Sequence, residues 1–247
     1  MTMDTLRPEN LNLKPILGGL SALVLLLGIG GLFATVRSNG AVTHLQVQGP
    51  FKHVTPQVIR GVAQDQIASG FLSVDLMQLR EQLEHLPWVE HARVERVWPA
   101  DLRIRVWERE PFARWGDKAL LSTQAVAFEP DAKDLPQGLP QLFGPPGHES
   151  EVMETYKRVV PLLVQTPFPI GRLGMNARAE WLAYTPTGIE LRLGQGQPDA
   201  KVDTITGPMA RVLAQRLQEV NYVDLRYTNG FAVAWHAPAD AMGEKKK

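Results

Sequence analysis

From Pro15 to Val36 the chain runs PILGGLSALVLLLGIGGLFATV without one charged residue. At about 1.5 Å per residue, a helix of roughly 22 residues reaches about 33 Å, close to the thickness of a bilayer core. Lys14 and Arg37 bracket the run, and a cation costs about 2.5–3.5 kcal/mol at the bilayer centre. The boundaries are therefore sharp, and the run is expected to cross a membrane. A cleaved signal peptide would have an apolar region of about 7–15 residues ending in a small-residue site. This run is longer, and Ala34-Thr35-Val36 is a poor cleavage site. Gly18/Ala22 and Gly30/Ala34 have the small-xxx-small spacing that packs helices together, although glycine is common in such spans.

Charge does not orient the span, because Arg7 and Lys14 precede it while Arg37 and Lys52 follow. Length does: a short tail stays in the cytoplasm, whereas long domains translocate largely regardless of charge. The expected order is a cytoplasmic tail at 1–14, a transmembrane helix at 15–36 and an extracytoplasmic bulk. The chain has 247 residues, with 26 basic and 26 acidic side chains. A polyanion binder would carry a basic excess, so nucleic acid is not an expected partner. With no cysteine, disulfides, thiolate catalysis and Cys-ligated metals are excluded.

After the span, Val42, Leu45 and Val47 predict a short strand. Thr55-Pro56 reads as an N-cap followed by proline at the first helical position. Val58, Ile59, Val62 and Ile67 then follow at helical spacing. Asp75 caps a second helix, with Gln78 placed as in a capping box, and Leu76, Leu79, Leu83 and Leu86 form its stripe up to Pro87. Ala92 and Val94 alternate with Arg93 and Glu95. After the turn Trp98-Pro99-Ala100-Asp101, Leu102, Ile104 and Val106 alternate with Arg103, Arg105 and Trp107. The order is β-α-α-β-β, an α+β layer of two helices on a small sheet.

That order is the order of a POTRA domain. The strings GFLSVDL (70–76), LPWVEHARVERVWPADLRIRVWEREP (86–111) and ARW (113–115) resemble the bacterial FtsQ/DivIB cell division family. The Pro-Trp-Val, Val-x-Arg-x-Trp-Pro and Glu-Arg-x-Pro elements, in order after a span, carry the resemblance. Trp88, Trp98 and Trp107 are expected to close the core, as large aromatics at strand ends do. Arg93, Arg96, Arg103, Arg105 and Arg109 are interleaved with Glu90, Glu95, Asp101, Glu108 and Glu110, which predicts a solvated, ion-paired sheet face. The POTRA-like domain is placed at 41–111.

A mostly antiparallel β domain with flanking helices is expected over 112–237, followed by a polar tail at 238–247. Its Pro/Gly-rich stretch LPQGLPQLFGPPG (135–147) reads as a loop. Val152, Tyr156 and Val159 predict a helix ending near Pro161. Trp181 and Ala183, the turn Thr185-Pro186-Thr187-Gly188, and Ile189, Leu191 and Leu193 predict a hairpin. Gly207-Pro208 is expected to open a helix with Met209, Val212, Leu213, Leu217 and Val220 on one face.

The segment YVDLRYTNGFAVAW (222–235) holds the strongest turn signal, Asn229-Gly230, which fits a two-residue type I′ loop. Such a loop pairs Thr228 with Phe231, Arg226 with Val233 and Asp224 with Trp235. Val223, Leu225, Tyr227, Ala232 and Ala234 then share the face expected to be core. Phe231, Val233 and Trp235 are left on the other face of a terminal strand, where a second chain adding a strand would cover them. The family resemblance implies the same place: the last strand of its second domain receives a strand from FtsB of the FtsB–FtsL pair. By matching position it implies Tyr227, Gly230, Phe231 and Trp235 as contacts, and Val233 joins the candidates as part of the exposed row. It also implies that Arg178, in the stretch RAEW, pairs with an acidic partner residue. Ordinary sheet packing is the competing reading for each. The sequence departs from the family where an Asp/Glu-x-x-Gly turn is usual, because Ser122-Thr123-Gln124-Ala125 stands there.

No catalytic set emerges. His44, His53, His85, His91, His148 and His236 form no H-x-x-x-H or H-E-x-x-H pair. Gly194-Gln195-Gly196 lacks the rest of a phosphate loop and reads as a turn. No G-x-S-x-G elbow occurs. No cofactor, metal or enzymatic activity is expected. The resemblance implies a division scaffold of the inner membrane, its bulk periplasmic and concentrated at the septum. It also implies contact with other divisome membrane proteins through the POTRA-like domain and the membrane helix. A POTRA-bearing transport or outer-membrane assembly component is the alternative, disfavoured because neither repeated POTRA units nor a β-barrel pattern is found. A membrane-anchored cell-wall enzyme is the third reading.

Overall fold

A computed structural model describes residues 40–236, and these divide into two units between Trp107 and Glu108. The apolar run Pro15–Val36 and the polar tail lie outside the described residues. Among those described, no helix is long and apolar enough to cross a membrane.

The first unit follows the expected order: β1 (His44–Gln48), α1 (Pro56–Ala68), α2 (Leu76–Glu84), β2 (Val89–Val97) and β3 (Asp101–Glu108). Thr55 caps α1, its hydroxyl accepting from the Val58 N–H. Asp75 caps α2 through hydrogen bonds from the Met77 and Gln78 N–H groups, both at 3.0 Å. Gln78 does not complete a capping box; its amide oxygen accepts from Gln66 instead and ties α2 to α1. The sheet order is β1-β3-β2, with β1 parallel to β3. Ile59, Ala63, Leu79 and Leu83 from the helices are buried, as are Ala92, Leu102, Ile104 and Val106 from the strands. The period of two in β3 places Arg103 and Arg105 on the other face, bonded to Gln46 and Gln48 of β1. Arg93 pairs with Glu95 at 2.6 Å, as an ion-paired face requires.

Two of the three tryptophans depart from expectation. Trp88 is buried and stacks on His53, but Trp98 is 68% exposed and Trp107 41%. Trp98 belongs to the β2–β3 turn, where the edge-to-face contact with Phe71 leaves most of its ring open. Trp107 lies on the solvent face of β3, opposite the buried Val106.

The second unit is one sheet of nine strands: β4 (Pro111–Trp115), β5 (Ala119–Ser122), β6 (Ala127–Phe128), β7 (Gln141–Phe143), β8 (Arg172–Met175), β9 (Trp181–Tyr184), β10 (Glu190–Gly194), β11 (Val220–Asp224) and β12 (Ala232–Trp235). Their order is β12-β11-β10-β9-β8-β7-β4-β5-β6. The junctions β4–β7, β7–β8 and β10–β11 are parallel and the other five antiparallel. Helix α3 (Glu149–Leu163) buries Val152, Val159 and Leu163 in the same core as Leu142, Leu173, Leu191 and Val223.

Three local expectations are corrected here. The Pro/Gly-rich stretch contains strand β7, held by parallel partners on both sides. Helix α3 continues through Pro161 to Leu163. The helical run expected from Gly207 begins at Pro198–Lys201 and continues through Val202–Thr204, a widened turn at Ile205–Met209 and Ala210–Leu213. Pro208, which has no N–H to donate, sits in that widened turn. The buried residues of the run are Pro198, Ile205, Met209 and Leu213; Val212 is exposed, and Val220 already belongs to β11.

Candidate functional site

The last two strands form the end of the large sheet, but not in the register that Asn229-Gly230 predicts. β12 pairs antiparallel with β11 through Asp224↔Ala232, Val223↔Val233, Tyr222↔Ala234 and Val220↔Trp235. Asp224 therefore faces Ala232, not Trp235, and the connection is a longer loop. A type I′ turn needs positive φ at both central residues, and neither Asn229 nor Gly230 has it. The cause is local chemistry at the end of β11. The Leu225 N–H donates to the Arg192 carbonyl at 2.8 Å, which holds Leu225 against β10. The Arg226 N–H then donates to its neighbour Asp224 at 3.1 Å, and the Arg226 guanidinium grips both carboxylate oxygens at 3.0 and 2.7 Å. This Asx-type turn ends the strand before Arg226 can pair across.

The new register exchanges the faces. Val233, opposite the buried Val223, turns toward the core, and Phe231 packs there as well. Tyr227, expected in the core, is 58% exposed in the loop, where its carbonyl accepts from Lys201. Ala232 and Ala234 lie on the outer face, opposite Asp224 and Tyr222. Trp235 stays 41% exposed at the end of the edge, with the Arg216 guanidinium 4.2 Å from its ring centre. Arg216 is in turn hydrogen-bonded to Glu219, whose own carbonyl accepts from the His236 N–H at 2.8 Å. Gly230 is half-buried, and a Cβ added there would meet nothing within 4 Å.

Arg178 lies on an exposed turn between β8 and β9. Its N–H donates to the Asn176 side chain at 2.8 Å, and Ala179 takes a φ of 55°. This turn is tied to the hairpin loop, because Glu180 lies 3.9 Å from the Arg226 guanidinium. Arg226 also packs over Gly194, where a Cβ would meet its side chain at 2.9 Å. A shallow pocket results, lined by Glu180, Leu182, Glu190, Arg192, Gly194 and Arg226 among others. Arg192 stands over the Tyr222 ring at 3.8 Å, a cation–π pair beside the alanines of β12. The Arg226 hydrogen bonds hold the Asp224 carboxyl below its usual range, and in the same way Arg216 lowers Glu219.

Sequence reasoning placed Asp224 and Arg226 only as cross-strand pairs and gave no role at the site to Arg192 or Arg216. Asp224-x-Arg226 carried a signal, an acidic turn-former two residues before a basic side chain; the stacking of Arg216 on Trp235 carried none. The six histidines are dispersed among separate partners, such as Asp101 for His44 and Glu151 for His148.

A β-α-α-β-β unit followed by a large sheet that ends on its C-terminal strand defines a POTRA protein with an appended β domain. Residues 41–109 match the family described as POTRA domain, FtsQ-type, and residues 113–226 match Cell division protein FtsQ/DivIB, C-terminal. Cell division protein FtsQ of Xanthomonas campestris pv. campestris is 36% identical over 211 residues, covering 83% of this chain and 74% of that protein. The protein of the same name from Allochromatium vinosum is 33% identical over 92% of this chain and 91% of its own length. That from Shewanella oneidensis is 32% identical over 82% and 77%. The chain belongs to the FtsQ family of cell division proteins.

Proposed function

We propose that this protein is a non-catalytic adaptor of the division machinery whose β domain accepts a strand from the FtsB–FtsL pair along β12. In this reading the run Pro15–Val36 is a single membrane pass, with the N-terminus cytoplasmic and both folded units periplasmic at the septum. The POTRA unit and the membrane helix meet other divisome membrane proteins, and the adaptor links early division proteins to septal peptidoglycan synthesis. The observation that carries the reading is the place of β12: it has β11 on one side and, among the described residues, no strand on the other. The His236 N–H points inward to Glu219, so strand alternation turns the Val233 and Trp235 N–H groups outward, where a partner backbone meets them.

The candidate contacts divide into two roles. Phe231 and Val233 hold the edge from the core side, while Tyr227, Trp235 and Arg178 meet the partner directly. Gly230 leaves space that this chain does not use, and Arg178 supplies a cation with no ion-pair partner among the described residues. To test the reading, the full chain carrying Val233→Pro, or separately Trp235→Glu, is expressed in place of the normal protein. FtsB–FtsL capture should fall at least about tenfold, as for removal of a central anchor, and cells should filament, with circular dichroism unchanged. Normal capture by both variants would end the strand-addition reading.

A further inference from the structure

The chain enters the POTRA unit at the end that carries its most exposed tryptophan. The Phe71 N–H donates to the Gly40 carbonyl at 2.8 Å, and the Thr43 N–H to the Ala100 carbonyl at 2.8 Å. The first described residues are thus bonded to the segment preceding α2 and to the β2–β3 turn. These two segments expose Leu72 (43%) and Trp98 (68%). They are held together: Arg96 donates to the carbonyls of Phe71, Leu72 and Val74, and Trp98 meets Phe71 edge to face at 5.3 Å. Neither side chain is loose decoration on a mobile tip.

Distance to the bilayer follows from the sequence. The apolar run ends at Val36, four residues before Gly40. Fully extended, that link spans about 14 Å at most, against a headgroup layer about 5–8 Å deep. Tryptophan favours this layer because its ring is apolar and its N–H polar. The geometry points to a lipid-facing patch: Leu72 and Trp98 seat the membrane-proximal end of the POTRA unit in the bilayer interface. This inference rests on the single-pass reading of Pro15–Val36. Arg96 is bonded within these segments and Asp75 and Asp101 adjoin them in sequence, so the patch has no basic excess and its affinity comes from apolar contact and the tether.

The full chain has no cysteine, so single reporters are introduced without competition. Leu72→Cys and Glu90→Cys are each labelled with a fluorophore and reconstituted in vesicles of phosphatidylethanolamine and phosphatidylglycerol. Glu90 lies at the opposite end of β2 from Trp98, about 26 Å away along the strand. The Leu72 label should be quenched severalfold more by lipid-borne nitroxide than the Glu90 label, and severalfold less by iodide. Adding Trp98→Ser should cut the lipid quenching at Leu72. Alkaline extraction of the same vesicles reports on the span. A chain that washes off overturns the single pass and the patch together. A retained chain whose Leu72 label is as open to iodide as Glu90, or is unaffected by Trp98→Ser, overturns the patch alone. Shielding from both quenchers marks a second copy on this surface and also overturns the lipid assignment.

Discussion

Among the described residues four strands end the two sheets, β1 and β2 in one and β6 and β12 in the other, and of these β2 and β12 are treated differently. At β2 in the POTRA unit, the Ala92 N–H donates to the Glu84 carboxylate of α2 at 3.0 Å, and the same carboxylate holds His91 at 2.9 Å. A side chain thus occupies a donor that a foreign strand would need, one of the ways proteins blunt an edge. At β12 no described residue plays that part. Arg216 stacks on the Trp235 ring and the core holds Val233 from inside, so the edge is braced without its backbone being covered. Both strands end a sheet, so what distinguishes them is local: one edge is occupied by a carboxylate of its own unit, and the other has no such cover among the described residues.

The largest expected effect comes from breaking the sheet behind β12. A Cβ on Gly174 would lie 1.9 Å from the Phe143 carbonyl across the β7–β8 junction. Gly174→Ala should cost more than about 3 kcal/mol and abolish FtsB–FtsL capture. The POTRA signals in a two-dimensional amide spectrum should persist; their loss would show that the units do not fold separately. Next, Glu84→Ala should free the β2 edge. We expect about 1–2 kcal/mol of lost stability by urea unfolding, with self-association in sedimentation that the parent lacks. A monomeric variant would mean that the carboxylate does not guard that edge.

Smaller effects sharpen the same contrast. Ala125 takes a φ of 58° in the turn where the Ser122 hydroxyl accepts from Gln124 and Val126. Ala125→Gly should relieve about 1 kcal/mol of backbone strain, partly offset by lost packing, for a modest rise in melting temperature. The smallest effect is in acid. Because Arg226 holds the Asp224 carboxyl below its reference value of 3.8, the pair's stabilisation is complete above that pH. It fades as pH falls through the lower folded value. The advantage of the parent over Asp224→Asn should therefore be constant near neutrality and shrink only below about pH 3.8.

Much of the POTRA unit was legible because its signals are local. Thr55, Asp75 and the alternation Leu102, Ile104, Val106 each specify a cap or a face within a few residues. The β domain yielded less. Strand β7 has three residues and one buried side chain, Leu142, which is too short for periodicity to mark. Its parallel neighbours arrive from distant parts of the chain and leave no turn signal. Pro161 lies in the last turn of α3, where a helix tolerates it once neighbouring packing compensates. At the site, the identity of the last strand was readable, but its register was not. Asn229-Gly230 is a turn signal of short range, and it lost to the Asp224–Arg226 grip and to the bond from Leu225 to Arg192. The exposure of Trp98 was missed because residue type alone does not say whether a second layer exists to cover it.

Amide hydrogen exchange, resolved residue by residue on the full protein with and without FtsB–FtsL, addresses the open edge most directly. The account predicts that the Val233 and Trp235 N–H groups exchange quickly in the free protein and become strongly protected in the complex, while Ala92 changes little. Stable binding that leaves Val233 and Trp235 as exchangeable as before would contradict it.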